Sequence, residues 1–142
     1  MTGGATQLAI LALTALFLVL LASMATFRSA WSLTKGKAAD TFDPAGKDMG
    51  EFGYRLTRVH ANAYEFLPMA LIPLVYAVAT DRTSITDTLA LWFVALRVGQ
   101  VVTHLLSASK LAVLLRFLAF FIPQLAILFM WVWCLYSATM AS

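Results

Sequence analysis

Four long apolar runs separated by polar stretches set the pattern of this 142-residue chain. The first, residues 7–27, contains no charged residue. An α-helix rises about 1.5 Å per residue, so about 20 apolar residues cross a hydrocarbon core about 30 Å thick. Met1 to Thr6 lacks the Lys or Arg that opens a secretory signal, and the run is longer than a signal core, so a retained span is expected. The second run, residues 54–80, has a polar first half and an apolar second half that holds Pro68 and Pro73. Proline removes a helix donor, so a kink is predicted there. After a short turn, in which Thr86 or Asp87 is placed to cap the next helix, the third run covers residues 88–106. The fourth, residues 111–136, carries Pro123 as another kink site. Near its end Trp131, Trp133 and Tyr136 read as interfacial aromatics. Loop 28–53 is the longest, with breaker residues at Gly36 and at Asp43-Pro44-Ala45-Gly46. Phe42 and Phe52 place it against the membrane surface or packed on the protein. The pattern predicts one domain over residues 1–142, an all-α integral membrane protein built as a four-transmembrane-helix bundle.

Composition agrees with that pattern. Charged residues make up 12%, about half the share usual in a soluble domain. The single cysteine, Cys134, excludes a disulfide framework and a multi-cysteine metal site; in an apolar run it reads as an inert small hydrophobe. No metal site, phosphate loop or nucleophile triad stands out, and nothing suggests a nucleic-acid partner. The charges are unevenly placed. Arg28, Lys35, Lys37, Lys47, Arg55 and Arg58 cluster around the first loop, and Lys110 and Arg116 lie at the third. Arg82 is the one cation on the other side. The excess of Lys and Arg puts loops one and three in the cytoplasm and both termini on the opposite side.

Ionisable groups inside a span cost at least about 2.5 kcal/mol each on insertion scales, so they mark candidate sites. At about 100° per residue, Asn62, Glu65 and Arg55 all lie within about 60° of Arg58, on one stripe of span two. His60 points away from it. On span three, Gln100 and His104 lie within about 60° of Arg97. Lipid does not tolerate two such stripes, so they are expected to face each other or a neighbouring subunit. Arg97 needs a counter-charge, and Glu65 is the carboxylate at matching depth; a Glu65–Arg97 pair is predicted, direct or through one bridging group. The cations Arg55, Arg58, His60 and Lys110 exceed what one carboxylate neutralises, which points to an anionic ligand or to lipid head groups.

The run Arg58-Val59-His60-Ala61-Asn62-Ala63-Tyr64-Glu65-Phe66-Leu67-Pro68 resembles the span-two signature of MAPEG proteins, the membrane-associated proteins in eicosanoid and glutathione metabolism. The likeness extends over nearly the whole chain: four spans, a long first loop and Arg97 early in span three. It includes bacterial-type members of undefined activity at least as closely as the eicosanoid enzymes. The resemblance implies a homotrimer in the lipid bilayer, with glutathione held between subunits. It implies Arg55, Arg58, Asn62, Glu65, Arg97 and Gln100 as glutathione-binding positions. Lys110 falls where an arginine activates the thiol, His104 stands in place of the usual tyrosine, and Arg116 is the rival cation.

The function implied is a glutathione-dependent transferase or peroxidase acting on small lipophilic electrophiles. The alternative is a non-catalytic membrane protein that binds an anionic lipid or cofactor, or serves as a structural subunit of a larger complex. The topology has a direct check: with Cys134 replaced, single cysteines at Ser84 and Ser107 are expected to react with an impermeant thiol reagent from opposite sides. Reaction from the same side would refute the four-span map.

Overall fold

The computed structural model describes residues 4–141, and no strand occurs among them. The long helices are α1 (Gly4–Lys35), α2 (Gly50–Ala79) and α3 (Asp87–Leu106). The fourth crossing is composite: a short α4 (Lys110–Leu115), a π-helical turn over Arg116–Phe121, then α5 (Ile122–Met140). Each of the four crossings is long and apolar enough to span a bilayer. The protein is therefore an all-α membrane-type bundle.

Lipid tails are as apolar as leucine, so the bundle is held by packing and by polar contacts rather than by expulsion of water. The packing falls into two layers. Ala9, Leu13, Phe66, Ala70, Leu74, Ala90, Phe93, Leu128 and Trp131 form one. Leu20, Met24, Met49, Leu56, Val59, Ala63 and Val101 form the other, nearer the charged end. Alanines at the contacts bring the backbones close, as small residues do in membrane bundles. The outward faces carry Leu11, Val19, Trp92, Phe129 and Trp133, suited to lipid.

Several local readings change. α1 runs on past Phe27 to Lys35. Phe27 stacks on Trp31 at 5.7 Å and meets Phe52 edge-on at 5.4 Å, so these aromatics extend the helix and seat it on α2. Gly36, in the left-handed region at φ 65°, ends it. Trp131 is fully buried against Phe93, 5.2 Å between ring centroids, and is a core residue rather than an interfacial one. Trp133 and Tyr136 stay exposed. Thr86 and Asp87 do not cap their own helix by side chain. Asp87 Oδ1 instead accepts from Thr6 N (2.9 Å) and Thr6 Oγ1 (2.6 Å), and the Thr6 and Thr86 hydroxyls bond at 2.7 Å. The carboxylate satisfies an unpaired amide at the start of α1 and ties α1 to α3.

The first loop packs on the protein. Lys37 Nζ pairs with Asp48 Oδ2 at 2.8 Å, which also accepts from Asp43 N at 2.8 Å. Met49 is buried beneath it. Gly46 has φ 75°, and a Cβ there would lie 2.9 Å from Thr57 Cβ and 3.1 Å from Gly53 O. Gly46→Ala therefore meets both a left-handed backbone and a rigid wall. We expect it to destabilise the protein by about 1–3 kcal/mol, read as a lower thermal midpoint in detergent together with faster proteolysis of the loop.

Candidate functional site

A polar layer separates the two apolar layers. Arg97 on α3 is only 4% exposed and is its centre. One Nη2 donates to Asn62 O at 2.9 Å and to Asn62 Oδ1 at 3.1 Å; Nη1 donates to Gln100 Oε1 at 2.9 Å. The guanidinium also lies over the Phe66 ring, 4.4 Å from its centroid. Gln124 on α5, fully buried, donates Nε2 to Gln100 Oε1 at 3.0 Å and to Phe120 O at 2.9 Å. A hydrogen-bonded chain thus crosses α2, α3 and α5. Every polar acceptor that Arg97 uses is neutral.

The predicted Glu65–Arg97 pair does not form within the chain. Glu65 is exposed on the outer face of α2, as is Arg58. The reason is azimuth. The helix buries Val59, Ala63 and Phe66, which turns Asn62 toward α3 and leaves Arg58 and Glu65 facing outward.

Beside the polar layer lies an open cavity of about 240 Å³, lined by Asn62, Gln100, His104, Val113, Arg116, Phe117 and Phe121. Arg116 reaches it from the π-helical turn, with Nη1 donating to Ser107 O at 2.7 Å. His104 lines the same cavity as Arg116. No carboxylate lines this cavity among the described residues. The half-buried Arg116 lines the pocket and the buried Arg97 guanidinium stands behind its Asn62 and Gln100 wall, so the local potential favours an anion.

The sequence-predicted residues thus separate into three places. Asn62, Gln100, His104 and Arg116 line one cavity, and Arg97 lies behind it, bonded to Asn62 and Gln100. Arg55 serves a neighbouring crevice of about 370 Å³ with Glu51, Tyr54, Ser107 and Ser109, its Nε donating to Leu105 O at 2.9 Å and its Nη1 3.6 Å from Glu51. Arg58 and Glu65 face outward. Lys110 is exposed at the first turn of α4 and does not line the cavity; of the two rival cations, Arg116 is the one beside His104. Sequence reasoning passed over Gln124. A lone glutamine after Pro123 in an otherwise apolar run was the available signal, since a buried amide in a membrane helix needs a partner on another helix. His60 lies off the site, stacked on Phe17 at 5.5 Å.

A family model described as the MAPEG family matches residues 5–136, and the chain belongs to that family. No curated protein and no solved structure matches it. Membership makes the chain a membrane protein of a family associated with glutathione and eicosanoid metabolism.

Arg97 holds two helices through one planar fork, which an ammonium cannot copy. Arg97→Lys keeps the charge but loses part of that set, and each hydrogen bond to a charged group contributes about 1.5–3 kcal/mol. We expect a loss of about 2 kcal/mol, measured as thermal unfolding in detergent. An unchanged midpoint would show that the fork is dispensable.

Proposed function

We propose that this MAPEG-family chain is a glutathione-dependent transferase or peroxidase acting on lipophilic electrophiles in the bilayer. The observation that carries the reading is the cavity between α3 and the fourth crossing, which Arg116 lines with no carboxylate among the described residues beside it, walled on one side by Val113, Phe117 and Phe121. Glutathione, with two carboxylates and one amine, has the complementary charges. Bound there, it supplies the nucleophilic sulfur.

The chain's own residues then have separable tasks. Arg116 stabilises negative charge at the sulfur end, and His104 stands beside it as proton acceptor. Asn62 and Gln100 offer amide partners, and Arg97 orients both. Arg58, with Arg55, fits a carboxylate, and Glu65 fits the amine. The apolar wall admits an electrophile from lipid and keeps water away from the sulfur.

The reading includes assembly as a homotrimer with loops one and three cytoplasmic. Support comes from the exposed Arg58 and Glu65 on an apolar helix. Charged side chains within a span face protein or a wet cavity rather than lipid. A neighbouring subunit on that face would complete a ligand site that one chain holds only in part.

The test is glutathione binding by calorimetry to the purified protein, followed by absorbance of the thiolate. Binding with a thiolate signal is expected. Arg58→Ala should abolish binding. Arg116→Ala should retain binding but lower the thiolate fraction about tenfold, the equivalent of one pKa unit of the thiol. Lys110→Ala should leave both unchanged. Binding without thiolate would sink the enzyme reading in favour of a non-catalytic binding protein, and no binding at all would favour a structural subunit.

A further inference from the structure

The fourth crossing changes register where it meets the site. Over Arg116–Phe121 the backbone is π-helical, and Ile122 N donates to Phe117 O, five residues back instead of four. Pro123 follows directly. It has no N–H, so Ala119 O, the acceptor that residue 123 would use in an α-helix, loses its donor. A π-turn of this kind inserts one residue into an α-helix.

The insertion changes which side chains share a face. In an unbroken α-helix, the eight steps from Arg116 to Gln124 would leave the two about 80° apart. With one step absorbed by the π-turn, they lie about 20° apart. Both do turn toward α3: Gln124 bonds Gln100, and Arg116 bonds Ser107 O and lines the cavity with His104. The π-turn is also seated closely on α3. A Cβ at Gly99 would lie 2.5 Å from the Phe120 ring, so the absent side chain makes room for it.

We propose that Pro123 is a positioning residue, holding the π-turn that rotates Arg116 onto the Gln124 face and so into the anion cavity. Its functional consequence rests on the role assigned to Arg116 above; the geometry does not. α5 is fixed by Leu128, Trp131 and Leu135 in the core, whereas α4 buries no residue. Loss of the π-turn therefore rotates α4 and Arg116, not α5.

The experiment uses the full chain in nanodiscs, with Cys134→Ser, His104→Cys and Arg116→Cys, and a short bis-maleimide. An intramolecular crosslink is expected. Adding Pro123→Ala restores the donor to Ala119 O, lets the segment wind as α-helix, and lowers the crosslink yield several-fold. Deleting Leu118 in that variant removes the surplus residue and restores the crosslink. In parallel, in chains that keep His104 and Arg116, the glutathione thiolate fraction should fall up to about tenfold on Pro123→Ala, as for Arg116→Ala, and recover with the Leu118 deletion. A chain that is only destabilised would not be rescued by a further deletion. Crosslinking that is unchanged by Pro123→Ala, or lost without recovery on the deletion, overturns the inference. If the crosslink pattern holds while no form binds glutathione, the register device stands and the proposed function falls.

Discussion

A guanidinium buried at the level where two apolar layers meet is the constraint on which the rest of this bundle turns. Moving a charge into a low-dielectric interior is costly unless every donor finds an acceptor. Arg97 meets that demand with Asn62 and Gln100 and the face of Phe66. Those partners fix the rotation of α2 and α3 about their axes, and through Gln124 they fix α5 as well. Because the acceptors are neutral, the satisfied hydrogen bonds leave the charge itself uncompensated. Arg116 adds a second positive charge at the adjoining cavity. Structure and electrostatics are thus one arrangement: the contacts that order three helices also create a positive pocket beside them.

Much of the architecture was legible from residue order. Long apolar runs locate the crossings because few polar residues can be hidden in lipid, and the Arg58–Asn62–Glu65 spacing marks one stripe of α2 from helical geometry alone. What the stripe faces was not legible. Periodicity gives angles within a helix but not the orientation of that helix toward its neighbours, so depth alone pairs Glu65 with Arg97, whereas the packing of Val59, Ala63 and Phe66 turns it outward. Trp131 follows the same rule: its position near a helix end predicts an interface, but its azimuth brings it onto Phe93.

The cavity had a further obstacle. Its cation comes from a segment whose helical count is interrupted, and a π-turn is invisible to any fixed-period reading. Sequence alone therefore does not separate Lys110 from Arg116, nor does it place Gln124 against α3. The loop shows the opposite case. Lys37, Asp43, Gly46 and Asp48 are ordinary turn residues one by one, but together they hold a docked structure that seals Met49 under the end of α1.

The contact between Thr6 and Asp87 has a consequence for biosynthesis. The two residues are separated by 81 positions. At about 5–20 residues per second, the ribosome needs on the order of 4–16 s to make that interval. Throughout that time the Thr6 amide lacks the carboxylate that later accepts from it. Thr6 is therefore made, with the rest of α1 and α2, before its carboxylate partner exists. That one clasp between α1 and α3 waits on translation of the third crossing.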